Sequence, residues 1–215
     1  MKYIIMCGGN YNLWNKPKQL IEINGEPIVC RTIRLLRKYG IDDIAISSNN
    51  PIFNQFGVPV LHHDNKWEVS GLGQVNGTWV NAFYPTDAPV CYLLGDVVFS
   101  KYAIKKIINT ETDGIEFFAS APPFSPLYPK RYAEPFAFKV VDTKYFRRCI
   151  DKVKEYEKAK KFHRPPIAWE LWQVIKGTEL NVIKYDNYIV INDYTCDIDW
   201  EGEAEYFENL EIAKD

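Results

Sequence analysis

The run Tyr3-Ile4-Ile5-Met6-Cys7 is apolar throughout and passes directly into Gly8-Gly9. It is too short for a helix, it lacks the alternation of a half-exposed strand, and two glycines close it, so it reads as a strand buried on both faces. Such strands belong to mostly parallel sheets covered by helices, and the rest of the chain keeps the strand-helix rhythm that such a sheet needs. Pro27 stands where a helix can begin; Val29, Ile33 and Leu36 follow at i, i+4 and i+7, and Gly40 stops the run, which predicts a first crossover helix over 27–39. Short strands are expected at 44–47 and 58–62, a helix over 78–83, and a central strand at 90–94 that ends in Gly95-Asp96. Beyond it come a helix over 103–108, strands at 115–120 and 135–141, a helix carrying Phe146, Ile150 and Val153, and a helix over 167–175. Strands at 182–185 and 188–191 and a closing helix with Ala204, Phe207 and Leu210 complete the pattern. The proline-rich stretches at 121–129 and 164–166 read as excursions over one sheet face.

A chain of 215 residues with 47% hydrophobic and 15% aromatic content can bury the core of one α/β domain, residues 1–215, and has no room for a second. The apolar start is far shorter than a signal-peptide core or a membrane span, which points to the cytoplasm and to no membrane partner. Five widely spaced cysteines, with no Cys-x-x-Cys pair, suit reduced packing residues rather than a disulfide framework or zinc. Net charge is −2, so a nucleic-acid footprint is absent. The balance is uneven: residues 101–165 hold 15 Lys and Arg against 8 Asp and Glu. That excess could draw a phosphorylated ligand, but much of it lies in the charge-alternating run 152–161, which reads as a solvated helix face.

Three constellations carry chemistry. The first is the loop Cys7-Gly8-Gly9-Asn10-Tyr11-Asn12-Leu13-Trp14-Asn15-Lys16-Pro17-Lys18 directly after strand one. Ligands of open α/β sheets bind beyond the carboxyl ends of strands, and glycines there let backbone N–H groups approach phosphate oxygens. The loop is neither a Walker loop nor a dinucleotide fingerprint. The second is Gly95-Asp96 at the exit of an apolar strand, where a carboxylate oxygen suits a hard cation or, alternatively, a turn or helix cap. The third is Asp197-Ile198-Asp199 before the closing helix; both aspartates lie on one side of an extended segment, and Asp199 could equally cap the helix.

Together with Asn24-Gly25-Glu26-Pro27-Ile28-Val29, Gly95-Asp96-Val97-Val98-Phe99 and Asp197-Ile198-Asp199-Trp200-Glu201-Gly202-Glu203, these segments resemble the sugar-phosphate and choline-phosphate nucleotidyltransferases, the MobA-like family that includes the molybdopterin-guanine transferases. The resemblance implies a Rossmann-like, three-layer nucleotide-diphospho-sugar transferase (glycosyltransferase A-type) fold with a mostly parallel mixed sheet. It implies transfer of a nucleoside monophosphate from an NTP, with CTP favoured by the choline-type ending, and Mg²⁺ as cofactor. Lys18 matches the family lysine assigned to the triphosphate, and Asp96 matches the metal-binding aspartate; these two are the candidate catalytic residues. Asp197 or Asp199 would supply the second metal carboxylate. Cys7, Gly8, Gly9, Asn10, Lys16 and Lys18 would hold the triphosphate, and Gln74, Gly77 and Thr78 would bind the nucleotide from a segment loosely similar to the family's Gly-Thr-Ala turn, where Gln74, Asn76 and the adjacent backbone could read a base edge; alternatively the segment is a plain glycine-rich turn into a helix. Tyr11 and Leu13 stand where the family pattern has glycine and arginine, and Lys16 is the candidate for the missing positive charge. Without the family, Lys16 and Lys18 are a pair of solvated loop lysines.

The acceptor region, 124–172, matches no family pattern. Lys130, Arg131, Glu134, Arg164 and Trp169 are the candidates there, suited to a small phosphorylated acceptor such as choline phosphate, phosphoglutamine or a sugar phosphate, in capsule or cell-surface polysaccharide biosynthesis. Trp169 and Trp172 are alternatively core residues. A homodimer stays open. The rival readings are a glycosyltransferase of the same architecture, which would normally place an Asp-x-Asp after a central strand, and a non-catalytic nucleotide sensor, motivated by the altered glycine loop.

Overall fold

The computed structural model describes residues 1–8, 16–62, 68–69, 75–76, 79–122, 133–180, 182, 184–199 and 202–210. In chain order the elements are β1 (Lys2–Met6), β2 (Glu22–Ile23), β3 (Glu26–Pro27), α1 (Ile28–Lys38), β4 (Ile44–Ser47), β5 (Val60–Leu61), β6 (Glu68–Val69), β7 (Val75–Asn76), β8 (Val90–Leu94) and β9 (Val97–Val98). Then follow α2 (Lys101–Asn109), β10 (Ile115–Ser120), β11 (Pro135–Val140), α3 (Thr143–Lys158), α4 (Ala168–Lys176), β12 (Ile189–Ile191), β13 (Cys196–Asp197) and α5 (Gly202–Glu208).

Seven strands form one sheet in the order β12-β10-β11-β8-β1-β4-β5. β1 pairs in parallel with both β4 and β8, β4 with β5 and β10 with β12, while β11 runs antiparallel between β8 and β10. The strands are apolar on both faces because both faces are covered. Tyr3, Ile5, Ile44, Ile46, Cys91 and Leu93 pack with Val29, Ile33 and Leu36 of α1 and Ala103, Ile104 and Ile107 of α2. Their sequence neighbours Ile4, Met6, Val90 and Tyr92 point the other way, against Phe146 and Val153 of α3 and Trp169 and Trp172 of α4. The result is the expected three-layer, mostly parallel nucleotide-diphospho-sugar transferase architecture. A buried cation ties two layers together: Lys139 of β11 donates from Nζ to the carbonyls of Ile107, Ile108 and Thr110 at 3.0, 2.8 and 2.6 Å, closing the carboxyl end of α2.

Some expected elements differ. The helix over 78–83 is a single 3-10 turn, Trp79–Ala82. The strand at 58–62 shrinks to its last apolar pair. Among the described residues of 182–185 there is no strand, because the carbonyls of Glu179 and Val182 are taken by the Gln173 amide at 2.6 and 2.8 Å rather than by a ladder. Among the described residues, no helix is long and apolar enough to cross a membrane.

Candidate active site

The registers Met6↔Ser47 and Met6↔Leu94 align the carboxyl ends of β1, β4 and β8, so the chain leaving each strand emerges on the same edge. Gly95 sets how closely these exits approach. Its N–H donates to the Met6 carbonyl at 3.1 Å. A Cβ at position 95 would stand 2.5 Å from that oxygen and 3.0 Å from both Cys7 Sγ and Gln19 Cγ. Only glycine lets the exit of β8 lie against the exit of β1 and the 3-10 turn Lys18–Leu20, and this places Asp96 beside Lys18.

Lys18 heads that turn, held by the Leu20 N–H on Pro17 and the Ile21 N–H on Lys18. Leu20 anchors it in the α1-side core. The lysine is drawn inward until its side chain is only 5% exposed. Its Nζ lies 3.1 Å from Asp199 Oδ1 and 3.9 Å from Asp96 Oδ2. The two carboxylates are themselves 43% and 29% exposed, so the ammonium sits beneath a pair of acids that reach solvent.

Asp199 arrives from the far end of the chain by a short ribbon. β13 pairs antiparallel with β9 through Cys196↔Val98 and Asp197↔Val97, and the Ile198 N–H donates to the Asp96 carbonyl at 3.0 Å. Ile198 turns inward to a small third core of Ile21, Ile23, Ile28, Val98 and Phe207. Upstream, Ser100 caps α2 through its Oγ, its N–H donates to Thr195 Oγ1 at 3.1 Å, and its hydroxyl donates to Asp193, which fixes where the ribbon begins. Downstream, the Asp199 N–H donates to Glu203 Oε2 at 2.6 Å, and Glu203 is buried.

Of the two aspartates left open by the sequence, Asp199 reaches Lys18; Asp197 accepts a weak bond from the Cys196 thiol at 3.4 Å. Cys7 directly follows the buried strand β1. Its N–H is taken by the Ser47 carbonyl at 2.9 Å, and its thiol is buried. Burial, with the Asp96 charge nearby, pushes that thiol well above the usual range, so the Cys7 side chain is a neutral packing group at the exit of β1. Gly8 lies at the exit of β1 and Lys16 is exposed. Gly9, Asn10, Gln74, Gly77, Thr78, Lys130 and Arg131 lie outside the described residues.

The acceptor candidates divide. Arg164 Nε donates to Glu170 Oε1 at 2.6 Å, while Glu170 Oε2 takes the Ile167 N–H at 3.0 Å and so caps α4. Glu134 lies buried just before β11, on the same sheet edge as Asp96. Tyr185 stands near all three: burial raises its phenol, Arg164 opposes that, and Glu170 and Glu134 add to it. Trp169, an acceptor candidate with a core alternative, is fully buried. Its indole N–H donates to the Ala133 carbonyl at 2.6 Å, and its ring meets Tyr185 edge-on at 4.8 Å. Tyr185 and Glu203 were not singled out from sequence; the available signals were the Tyr-x-x-Tyr spacing with Tyr188 and an acid four residues after Asp199.

For a divalent metal, the described residues offer Asp96 and Asp199, and no cluster of three or more His, Cys, Asp or Glu among them could hold an ion alone. That pair of hard oxygen donors fits Mg²⁺, which commonly takes one or two carboxylates and completes its shell with water and substrate phosphates.

The open seven-stranded sheet, with acids and a lysine gathered at its carboxyl edge, has the nucleotide-diphospho-sugar transferase fold. Solved structures share the fold. A putative glucose-1-phosphate thymidylyltransferase from Bacillus anthracis, crystallised with sucrose, is 15% identical at a TM-score of 0.56, covering 100% of this chain and 95% of its own. A 4-diphosphocytidyl-2C-methyl-D-erythritol synthase from Anaerococcus prevotii is 13% identical at 0.56, covering 96% and 93%. HddC from Yersinia pseudotuberculosis, complexed with GMP-PN, is 14% identical at 0.50, covering 96% of each chain. Residues 3–165 match the MobA-like NTP transferase domain. The chain belongs to that family, and its activity is nucleotidyl transfer.

Proposed function

We propose that this protein moves a nucleoside monophosphate from an NTP, with CTP favoured, to a small phosphorylated acceptor in the cytoplasm, with Mg²⁺ as cofactor. The observation that carries the reading is the convergence of Lys18, Asp96 and Asp199 on one sheet edge from three distant parts of the chain. CTP is favoured because the closing segment around Asp199 resembles that of the choline-type enzymes. Asp96 and Asp199 would hold the metal, which when bound supplies Lewis-acid neutralisation of the triphosphate. Lys18, on a flexible stem rooted in a fixed turn, would place its charge on the α-phosphate. Gly8 and Lys16 would support the phosphates, and Arg164 with Glu134 would orient the acceptor. An acceptor phosphate oxygen attacks the α-phosphorus, the bond from that phosphorus to the bridging oxygen breaks, and pyrophosphate leaves. The protein's contribution to such a step is positioning and electrostatics rather than covalent chemistry.

The test is release of pyrophosphate from CTP, UTP, GTP or dTTP in the presence of a panel of small phosphates. Asp96→Asn and Asp199→Asn keep the fold and each lower turnover at least about 10²-fold, the size of losing one preorganised electrostatic element. Turnover within a few-fold of wild type removes that aspartate from the site. Release of nucleoside diphosphate favours the glycosyltransferase reading, and release of neither product favours the sensor.

A further inference from the structure

The carboxylates assigned to the metal already have a cation. Lys18 Nζ lies 3.1 Å from Asp199 Oδ1 and 3.9 Å from Asp96 Oδ2, on the buried side of the pair. Resting on the reading above, we infer that the Lys18 ammonium and the divalent ion compete for one carboxylate pair, so that the ion enters well only when a triphosphate draws Lys18 away.

Mg²⁺ binds carboxylate oxygens at about 2.0–2.1 Å. An ion held by Asp96 and Asp199 together would therefore stand within a few ångströms of the ammonium, both sharing the same two negative charges. In a partly buried site, like charges at that separation repel strongly. The backbone is held in place by Pro17 and the hydrogen bonds of the 18–20 turn, and Gln19 Cγ lies 3.0 Å from where a Cβ on Gly95 would stand. The side chain can move: four methylenes carry a compact point charge with freely rotating donors. A triphosphate offers that charge new partners, and the carboxylates pass to the metal. Lys18 is thus a positioning residue before substrate arrives and a phosphate ligand afterwards. Because linkage is reciprocal, nucleotide strengthens metal binding by the same factor that metal strengthens nucleotide binding.

The decisive measurement needs no turnover. Mn²⁺ is titrated into the whole chain without nucleotide, with free ion followed by electron paramagnetic resonance, for wild type, Lys18→Met and Lys18→Arg. A neighbouring cation changes a carboxylate's affinity for a proton by about ten- to a thousand-fold. Lys18→Met, of similar length and no charge, therefore binds Mn²⁺ at least about tenfold tighter than wild type, and Lys18→Arg stays within about threefold of it. With Mn²⁺ saturating, calorimetry reverses the order: Lys18→Met binds CTP at least about tenfold more weakly. Equal or weaker Mn²⁺ binding by Lys18→Met without nucleotide overturns the inference, as does equal tightening in Lys18→Arg. Should Lys18→Met melt early, Lys18→Gln carries the same comparison. Mn²⁺ binding untouched by both Asp96→Asn and Asp199→Asn overturns the inference together with the metal site. Binding that these variants abolish, with no pyrophosphate from any NTP, overturns only the proposed function.

Discussion

Arg164 and Trp169 stand five positions apart and answer to different forces. The tryptophan fills the α4 side of the core, wedged against Phe117, Tyr185 and Tyr188. Trp169→Ala therefore lowers stability by about 3–5 kcal/mol, as large aromatic truncations in cores do, and impairs CTP and acceptor use together. Arg164 is 39% exposed and bonded to a buried glutamate that keeps its second partner, the Ile167 N–H. Arg164→Ala lowers stability less, by about 1–3 kcal/mol for the weakened ionic bond, raises the acceptor KM, and leaves CTP binding unchanged. Melting curves alongside KM for each substrate separate the two residues; a matching loss for both substrates in Arg164→Ala would remove Arg164 from the acceptor site.

At the scale of elements, the hairpin before α1 shows how local chemistry aims the chain. Asn24 and Gly25 both take positive φ, 51° and 76°, the Asn-Gly pair that joins short antiparallel strands. The hairpin is then tied to α1 by Glu26, whose two oxygens receive Nε and Nη2 of Arg34 at 2.8 and 2.7 Å. Hydrogen bonding to Arg34 holds the Glu26 carboxyl below its ordinary value of 4.5. A depressed carboxyl stabilises the fold above the unfolded value and loses that contribution as pH falls from 4.5 through the lower folded value. Glu26→Gln should thus flatten the acid limb of the stability curve while changing neutral-pH stability by no more than about 1 kcal/mol, as expected for a part-exposed pair. An unchanged acid limb would show that other carboxylates govern it. The sequence made such elements visible to different degrees. Strands 44–47, 90–94 and 115–120 fall where expected, because continuous apolar runs between turn residues leave one solution. The two-residue β9 and β13 have no period to detect, and their pairing joins segments distant in the chain. For the same reason Lys18, Asp96 and the closing aspartates were legible as motif residues, but the contact of Asp199 with Lys18 was not. Both closing aspartates lie on one side of the extended segment, and the Ile198 N–H on the Asp96 carbonyl sets the ribbon so that Asp199 stands against the lysine. Trp169 was ambiguous because a tryptophan next to charged residues reads alike at a surface and at a core edge.

At the scale of the whole molecule, two large cores among the described residues build the layers and a third, small one supports the site. Phe207 of α5 packs with Ile198 onto Ile21, Ile23 and Ile28, which joins the segment bearing Asp199 to the hairpin that follows Lys18. Phe207→Ala should loosen this corner first. Amide exchange speeds up in α5 and β13, Mn²⁺ affinity falls, and protection in β1, β8 and β10 stays as in wild type. Uniform loss of protection would mean that the third core is not a separate cooperative unit. The same corner bears on how the protein is made. Lys18 and Asp199 are 181 residues apart. At roughly 5–20 residues per second, a ribosome needs about 9–36 s to travel between them. Throughout that interval the growing chain has its glycine loop, and later Asp96, but no partner for Lys18 from the closing segment. In the proposed site, nucleotidyl transfer is thus withheld from nascent chains until translation has passed residue 199.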